Sequence, residues 1–220
     1  MPNQITDIQP QKRNPKRVNV FLDGQFAFGV SLESKIVNHL KVDESLTPKQ
    51  VTELIFQDQV ERLYDKAIKF LSFRPRSEKE IRDKLLQKLR LTDKADEEKK
   101  NFDRSIEAVI KKLQKIDQIN DQEFARWWLQ QRTQFKKTSP RVIKLELFKK
   151  GIKKETIDEL FSETSFDPLE LATAAARKKL RNYQKYEPKI FREKMGRYLA
   201  SKGFDWEVIK KAVDTLSQEE

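Results

Sequence analysis

Basic side chains are the residues of this sequence whose type and spacing could support chemistry, and that chemistry is the binding of an anionic partner. They recur in segments with helical periodicity, where arginine and lysine can meet phosphate or carboxylate groups. The predicted contact set is Arg74, Arg76, Arg82, Arg126, Arg132, Arg141, Lys144, Lys149 and Lys150. Two alternatives stay open. A solvated surface would contain the same residues, and Arg74 and Arg132, which end equivalent helices, could bind the carbonyls of their own helix termini.

Residues suited to catalysis or metal binding are scarce. His39 is the only histidine and cysteine is absent, so the sequence predicts no catalytic triad, thiolate metal site or disulfide. The adjacent Glu97 and Glu98 lie in a polar segment without the apolar surroundings that would raise a carboxyl pKa. Glycine-rich phosphate loops and a nucleophile elbow are also missing. We therefore expect a protein without catalytic residues, metal or cofactor.

The net charge also indicates an anionic partner. The 220 residues include 46 Lys and Arg against 35 Asp and Glu, a formal net charge of +11. The excess is positive in each of four successive segments, at +1 for residues 1–57, +4 for 58–120, +3 for 121–166 and +3 for 167–220. This distribution favours nucleic acid or an acidic protein surface, and a purely solvating surface remains the alternative.

Membrane and secretion signals are not found. No apolar run approaches the ~18 residues that a membrane span needs, and the N-terminal residues lack the hydrophobic stretch of a signal peptide. The expectation is a cytoplasmic protein that has no membrane partner.

Helical periodicity organises the central part of the sequence into a three-helix unit. Apolar residues at helical spacing between Phe124 and Leu129 predict a first helix. Ser139 followed by Pro140 predicts the N-cap and first turn of a second, which Gly151 ends in the left-handed conformation. A third apolar run follows. Such a unit is too small to bury a core well alone, so neighbours of the same kind are expected.

Large aromatic side chains are assigned to the core by the same periodicity. The inward phenylalanines are predicted to be Phe124, Phe148, Phe161 and Phe204. We expect them to pack and not to stack on bases. Trp127 and Trp128 are adjacent, so both cannot face inward on one helix. Trp128 fits the core better, and Trp127 either packs at a junction between units or is an exposed anchor.

The N-terminal part has a different pattern. Residues 1–16 are polar with three prolines, which predicts a disordered tail. Alternating apolar residues on both sides of Asp23 and Gly24 predict a β-hairpin over residues 17–30 with a two-residue turn. This hairpin and a helical connector make up the predicted segment 17–57.

The three-helix pattern recurs along the rest of the chain. Ser77 aligns with Ser139, and Gly151 aligns with Gly203. The predicted repeats are residues 58–120, 121–166 and 167–220. Residues 92–100 form a polar linker in the first, where Leu89 stands in place of the glycine. The expected fold is all-α: three tandem three-helix repeats in an extended curved array, with a small N-terminal β-hairpin.

These residues resemble the RecX family, the regulators of the bacterial recombinase RecA. The matching segments are Ala67–Leu89, Ile119–Arg132, Ser139–Ile152 and Tyr198–Val213. The R-x-R-S sequence before the second helix and the D-x-x-F-A-x-x-W sequence of the central unit stand in the family's order. Leu89 and the acidic linker depart from the pattern of a compact member.

The resemblance implies a non-enzymatic modulator that lies in the groove of the RecA filament on single-stranded DNA. It also implies inhibition of ATP hydrolysis, strand exchange and co-protease activity, by a protein expected to be a monomer. Two other classes stay open on the residues alone. One is a basic helical module that binds DNA or RNA directly, and the other is a helical scaffold whose charge serves only solubility.

Overall fold

The computed structural model describes residues 3–87 and 96–218. The strands in this part of the chain are β1 Asn3–Gln11, β2 Asn14–Leu22, β3 Gln25–Ser31 and β4 Ser45–Leu46. The helices there are α1 Leu32–Val37, α2 Pro48–Leu71, α3 Glu78–Leu86, α4 Asp96–Lys115, α5 Asp121–Gln130, α6 Pro140–Lys149, α7 Lys154–Ser162, α8 Pro168–Tyr183, α9 Pro188–Ser201 and α10 Trp206–Gln218. The protein is mostly helical with one small sheet.

The four strands form an antiparallel sheet in the order β3-β2-β1-β4. Asp23 and Gly24, both with positive φ, connect β2 to β3. This geometry matches the twist of a tight hairpin, and the predicted two-residue turn is confirmed. Ile5, Val20 and Val30 on three neighbouring strands are fully buried, so the sheet has its own core.

The prediction that residues 1–16 form a disordered tail is wrong for residues 3–16, which the structure describes. Residues 3–11 form β1, and β2 begins at Asn14. Beyond Ile5, β1 is paired with β2 on one side and forms an edge of the described sheet. An edge strand tolerates proline and polar side chains. The predicted hairpin is therefore part of a larger sheet, a correction to an all-α fold with a two-stranded addition.

Helix α2 packs on the sheet, and its start is set by the sequence. Thr47 and Gln50 form a capping box with proline in the first turn. The Arg17 guanidinium on β2 makes a bidentate ion pair with Asp58 of α2, at 2.8 and 2.9 Å. Both side chains are largely buried, so the pair fixes the position of the helix on the sheet.

Two compact units divide the chain, one of residues 1–74 and 81–118, the other of residues 75–80 and 119–220. The expected boundary between residues 57 and 58 falls inside α2. The predicted polar linker covers residues 92–100, and its part up to position 95 lies outside the described residues. Leu89 also lies outside them. From Asp96 the chain is helical.

The second unit contains α5 to α10, and its described residues form two cores. Phe124, Ile143 and Leu147 are buried together in one of them, and Met195 and Leu199 in the other. Trp127 is half-buried against Phe124 and belongs to the first of these cores.

Candidate partner-binding surface

Helix α5 continues beyond Gln130 as a π-helical turn over residues 131–136. The Asn120 side chain caps its start by accepting from the amides of Gln122 and Glu123. At the other end Lys137 takes the left-handed conformation, with a φ of 50°. The wider turn places Arg132 beside α6, and π-helical turns often occur at functional positions.

Arg132 and Lys150, two residues of the predicted contact set, lie in a half-buried cluster around Trp128. The Arg132 Nε and Trp128 Nε1 donate to the same Glu146 oxygen, at 2.6 and 2.8 Å. The Lys150 ammonium is 2.7 Å from a Glu80 oxygen and 4.1 Å from the Trp128 ring centroid. Each cation therefore has a carboxylate and an aromatic face inside the unit, which indicates a structural contribution. Their partner-binding role stays a prediction.

Residues 77–80 contact the C-terminal end of α6, and we call this contact the first junction. Ser77 Oγ donates to the Lys150 carbonyl at 2.7 Å, and Lys79 Nζ donates to the Lys149 carbonyl at 2.9 Å. Gly151 has a φ of +85°, and a Cβ there would lie 2.7 Å from the Lys79 Cβ. Glycine is thus required by both the backbone conformation and the close approach.

The carboxyl group of Asp121 also belongs to this region. It accepts a 2.9 Å hydrogen bond from the Glu78 amide, at the first residue of α3. Burial raises the pKa of the Asp121 carboxyl above its ordinary value, and the hydrogen bond from Glu78 partly opposes that shift.

An equivalent contact joins residues 139–142 to the end of α9, and we call it the second junction. The Ser139 amide donates to the Lys202 carbonyl at 3.1 Å. Gly203 has a φ of +82°, and a Cβ there would lie 2.2 Å from Val142 Cγ2. A serine cap thus meets a Lys-Gly helix end at both junctions.

The outer face of α6 combines cations with apolar side chains. Leu145 and Phe148 are 55% and 66% exposed, and Arg141 and Lys149 flank them on the same helix. The prediction that Phe148 faces the core is wrong, because buried Leu147 precedes it and the next helical position turns outward. Lys144 is near Asp158, at 3.8 Å, and 4.8 Å from the Phe161 ring. We call residues 141, 144, 145, 148 and 149 the α6 outer face.

The other residues of the predicted set are dispersed. In the first unit, Arg82 makes a bidentate pair with Glu107, whose pKa is lowered mainly by that hydrogen bond. In the second, exposed Arg126 pairs with Glu123 one turn away at 3.0 Å. Arg74 and Arg76 are half-buried in the segment before α3. The structure therefore brings together only part of the predicted set, on α5 and α6.

Sequence reasoning missed four lysines next to the second junction. They are Lys136, Lys178, Lys179 and Lys202, and together with Arg132 we call them the basic cluster. They come from the π-helical turn, from α8 and from the end of α9. The available signal was the alignment of Lys202 with Lys150 and of Val142 with Glu80, because the second junction therefore lacks the glutamate that pairs with Lys150 in the first.

The positions of the ammonium groups in the basic cluster follow from helix termini. Lys178 Nζ donates to the Phe135 carbonyl at 2.7 Å, and Lys202 Nζ donates to the Lys136 carbonyl. Cations are favoured at such a carbonyl-rich helix end. Burial and the four neighbouring cations lower the pKa of Lys202 below its ordinary value of 10.5.

Within residues 3–87 and 96–218, no group of three or more His, Cys, Asp or Glu side chains is arranged to hold a metal ion. None of the helices in these ranges combines the length and apolar character needed to cross a bilayer. The fold and site define a mostly helical protein whose charged groups lie on open helix faces and at helix junctions.

Comparison with known proteins identifies the family. Its profiles match residues 3–47 as the N-terminal domain of regulatory protein RecX, and residues 64–89, 120–160 and 167–213 as the first, second and third three-helix domains of RecX. Regulatory protein RecX of Listeria innocua is 36% identical over 219 residues, which covers 98% of this chain and 77% of the relative. The protein of that name in Bacillus subtilis is 32% identical over 216 residues, covering 98% and 78%.

Solved structures agree with the sequence relatives. A crystal structure of regulatory protein RecX aligns with a TM-score of 0.61 at 28% identity, covering 96% of this chain and 99% of the other. RecX from Lactobacillus salivarius aligns with a TM-score of 0.52 at 28% identity, covering 74% and 99%. The chain belongs to the RecX family.

Proposed function

We propose that this protein is a negative regulator of the recombinase RecA. It binds in the groove of the RecA filament on single-stranded DNA and inhibits ATP hydrolysis, strand exchange and co-protease activity. The observation that supports this most is family membership, with relatives that are named regulatory proteins. The protein acts by binding and not by catalysis, as a monomer in the cytoplasm.

The α6 outer face is the proposed contact with the recombinase. Phe148 and Leu145 are large apolar side chains exposed one helical turn apart. Interfaces commonly have such an apolar centre surrounded by charged residues. Arg141 and Lys149 supply a basic rim, which suits a groove lined by acidic protein groups and phosphates.

The three-helix domains would spread this contact over several RecA protomers. In the proposed arrangement they are tandem repeats, and each adds a modest set of contacts. Linked weak contacts reach high avidity, because once the first domain is bound the other domains bind within the same complex at a high effective concentration. Because one molecule of this protein would bridge several RecA protomers, it should inhibit at a concentration below that of RecA.

A second candidate is a module that binds nucleic acid directly through basic helices. The basic cluster favours it, because its cations converge beside exposed backbone and do not lie scattered on one helix. In that case inhibition of RecA would be secondary to competition for DNA. The two candidates differ in whether tight binding requires the recombinase.

The test of the proposed function is RecA ATP hydrolysis on single-stranded DNA, with this protein titrated well below the recombinase concentration. Loss of turnover at substoichiometric amounts is expected. Phe148→Ala should raise the concentration needed by roughly tenfold, because truncating a central apolar anchor typically costs more than 1 kcal/mol of binding free energy.

Phe26→Ala is the matched control. Phe26 is 60% exposed, close to the 66% of Phe148, and it lies on β3, which is not part of the proposed contact. It should leave inhibition unchanged. Unchanged ATP hydrolysis at all concentrations of the wild-type protein, together with tight binding to bare DNA, would reject the proposed function in favour of the nucleic-acid module.

A further inference from the structure

We propose that the basic cluster is a binding site for the phosphate groups of single-stranded nucleic acid. Its cations come from three separate segments of the second unit, so a ligand there would contact the π-helical turn, α8 and the end of α9 together. This site is distinct from the α6 outer face, and its binding can be measured without the recombinase.

Part of the cluster is held in place before any ligand arrives. Lys178 and Lys202 are fixed by the carbonyls of Phe135 and Lys136, two consecutive residues of the π-helical turn. The Tyr198 ring lies 5.8 Å from the Lys179 ammonium and 5.6 Å from that of Lys202. Ordered cations lose less conformational entropy on binding than free side chains do.

The positive charge of the cluster is largely uncompensated. Arg132 is paired with Glu146. Among the residues that the structure describes, none of the four lysines makes an ion pair with a carboxylate. Burial lowers the pKa of Lys202 most, and repulsion from the four neighbouring cations lowers it further. A bound anion would relieve that repulsion.

Capping of a helix end explains the positions of only two of these four lysine side chains. Lys178 and Lys202 donate to carbonyl groups at the end of the π-helical turn. The ammonium groups of Lys136 and Lys179 donate no hydrogen bond to any part of the chain that the structure describes. They add positive charge at the same place without capping a carbonyl, and an uncapped ammonium group is available to a phosphate.

An aromatic side chain beside the cluster favours single-stranded nucleic acid over an acidic protein surface. Phe135 is 61% exposed, and its own carbonyl accepts from Lys178. Sites for single strands combine cations along the backbone with exposed rings on which bases stack. Bases in a duplex are already stacked on each other and cannot use such a ring.

The test measures binding of fluorescent oligothymidylate to the full chain at several salt concentrations, by fluorescence anisotropy. Oligouridylate and a duplex of equal length are run in parallel, so that DNA, RNA and double-stranded sources of phosphate are distinguished. The variant is Lys136→Gln with Lys179→Gln, which spares both lysines that hold carbonyls. We expect affinity to fall about tenfold, and the slope of log K against log salt to lose about 1.4, at about 0.7 for each phosphate contact.

Lys210→Gln with Lys211→Gln is the matched control. Both lysines are exposed on α10 in the same unit, and the change in net charge is the same. The control should retain affinity within about twofold. Equal losses in both double variants would show a diffuse charge effect and overturn the proposal, provided that both variants unfold at the wild-type temperature.

Phe135→Ala tests the single-strand assignment. Loss of one stacked base is expected to weaken oligothymidylate binding roughly tenfold while leaving duplex binding unchanged. Equal effects on single strand and duplex would overturn the assignment. Displacement of the oligonucleotide by polyglutamate at equal charge concentration would also overturn it, and would indicate an acidic protein partner. Neither result would change the expected inhibition of RecA, so the two proposals can fail separately.

Discussion

The first and second junctions share a backbone arrangement and differ in charge. In each, a serine that caps one helix meets a lysine and a glycine that end another. The Ser77 hydroxyl donates to the Lys150 carbonyl in the first, and the Ser139 amide donates to the Lys202 carbonyl in the second. Gly151 and Gly203 both take the left-handed conformation there. The helix ends of the two junctions are therefore built in the same way.

The surroundings of the two lysines are opposite. Glu80, three residues after the first serine, binds Lys150 at 2.7 Å. Val142 occupies the corresponding place after the second serine, and Lys202 is surrounded by cations instead. A charge paired inside the fold contributes to structure, whereas an unpaired group of like charges lowers stability and is available to an anion. The comparison thus separates a structural junction from a binding junction.

The largest predicted effect concerns the geometry that the junctions share. Gly203→Ala should destabilise the second unit by about 2–4 kcal/mol, about 1 from the left-handed conformation and the rest from overpacking against Val142. Gly151→Ala should act in the same direction. Urea unfolding followed by tryptophan fluorescence measures this, since all three tryptophans, at 127, 128 and 206, lie in that unit.

Gly196→Ala is the control for these substitutions. Gly196 lies inside α9, and its added Cβ would be 3.9 Å from Ile209 Cγ2, an ordinary contact. Here alanine should stabilise by up to about 1 kcal/mol, because glycine is unfavourable within a helix. If all three variants shifted stability in the same direction, the close approach at the junctions would not be the cause.

The shared part of the junctions was predictable, because local signals set it. A serine before proline and a glycine at a helix end are rules about neighbouring residues, and Ser139 and Gly151 follow them. Phe148 was misplaced because α6 buries a narrow stripe, and a residue at the edge of that stripe fits the core pattern about as well as Leu147 does. The sheet strand β1 was missed because its apolar residues are few and its proline is tolerated only at an edge.

The charge difference between the junctions was not predictable in the same way. Lys202 meets Lys136 across 66 positions, and no periodic pattern relates residues so far apart. The predicted set included Arg132 and Lys150 because each lies on a recognisable helix. Their carboxylate partners, Glu146 and Glu80, became known only from the fold.

An intermediate effect is expected from removing the carboxylate of the first junction. Glu80→Gln keeps the side-chain oxygen that accepts from the Ser77 amide but removes the charge that faces half-buried Lys150. The free energy of unfolding should fall by about 1–2 kcal/mol, since the lysine stays desolvated without its partner. A double-mutant cycle with Lys150→Gln isolates the pair. A coupling energy near zero would remove the distinction between the junctions.

The smallest effect, and the most specific to the second junction, is on the titration of Lys202. Its lowered pKa means that the folded state disfavours the charged form. The charged Lys202 therefore lowers the free energy of unfolding by its full amount below the folded-state pKa. This loss disappears as the pH rises toward the ordinary value of 10.5.

Lys136→Gln should raise the pKa of Lys202, because Lys136 is the largest cationic cause of the shift. Saturating oligothymidylate should raise it further, since phosphate favours the ammonium form. NMR titration of the lysine side chains measures both changes. A Lys202 pKa that rises in the variant but does not respond to oligothymidylate would mean that the uncompensated charge is real and that nucleic acid binds elsewhere.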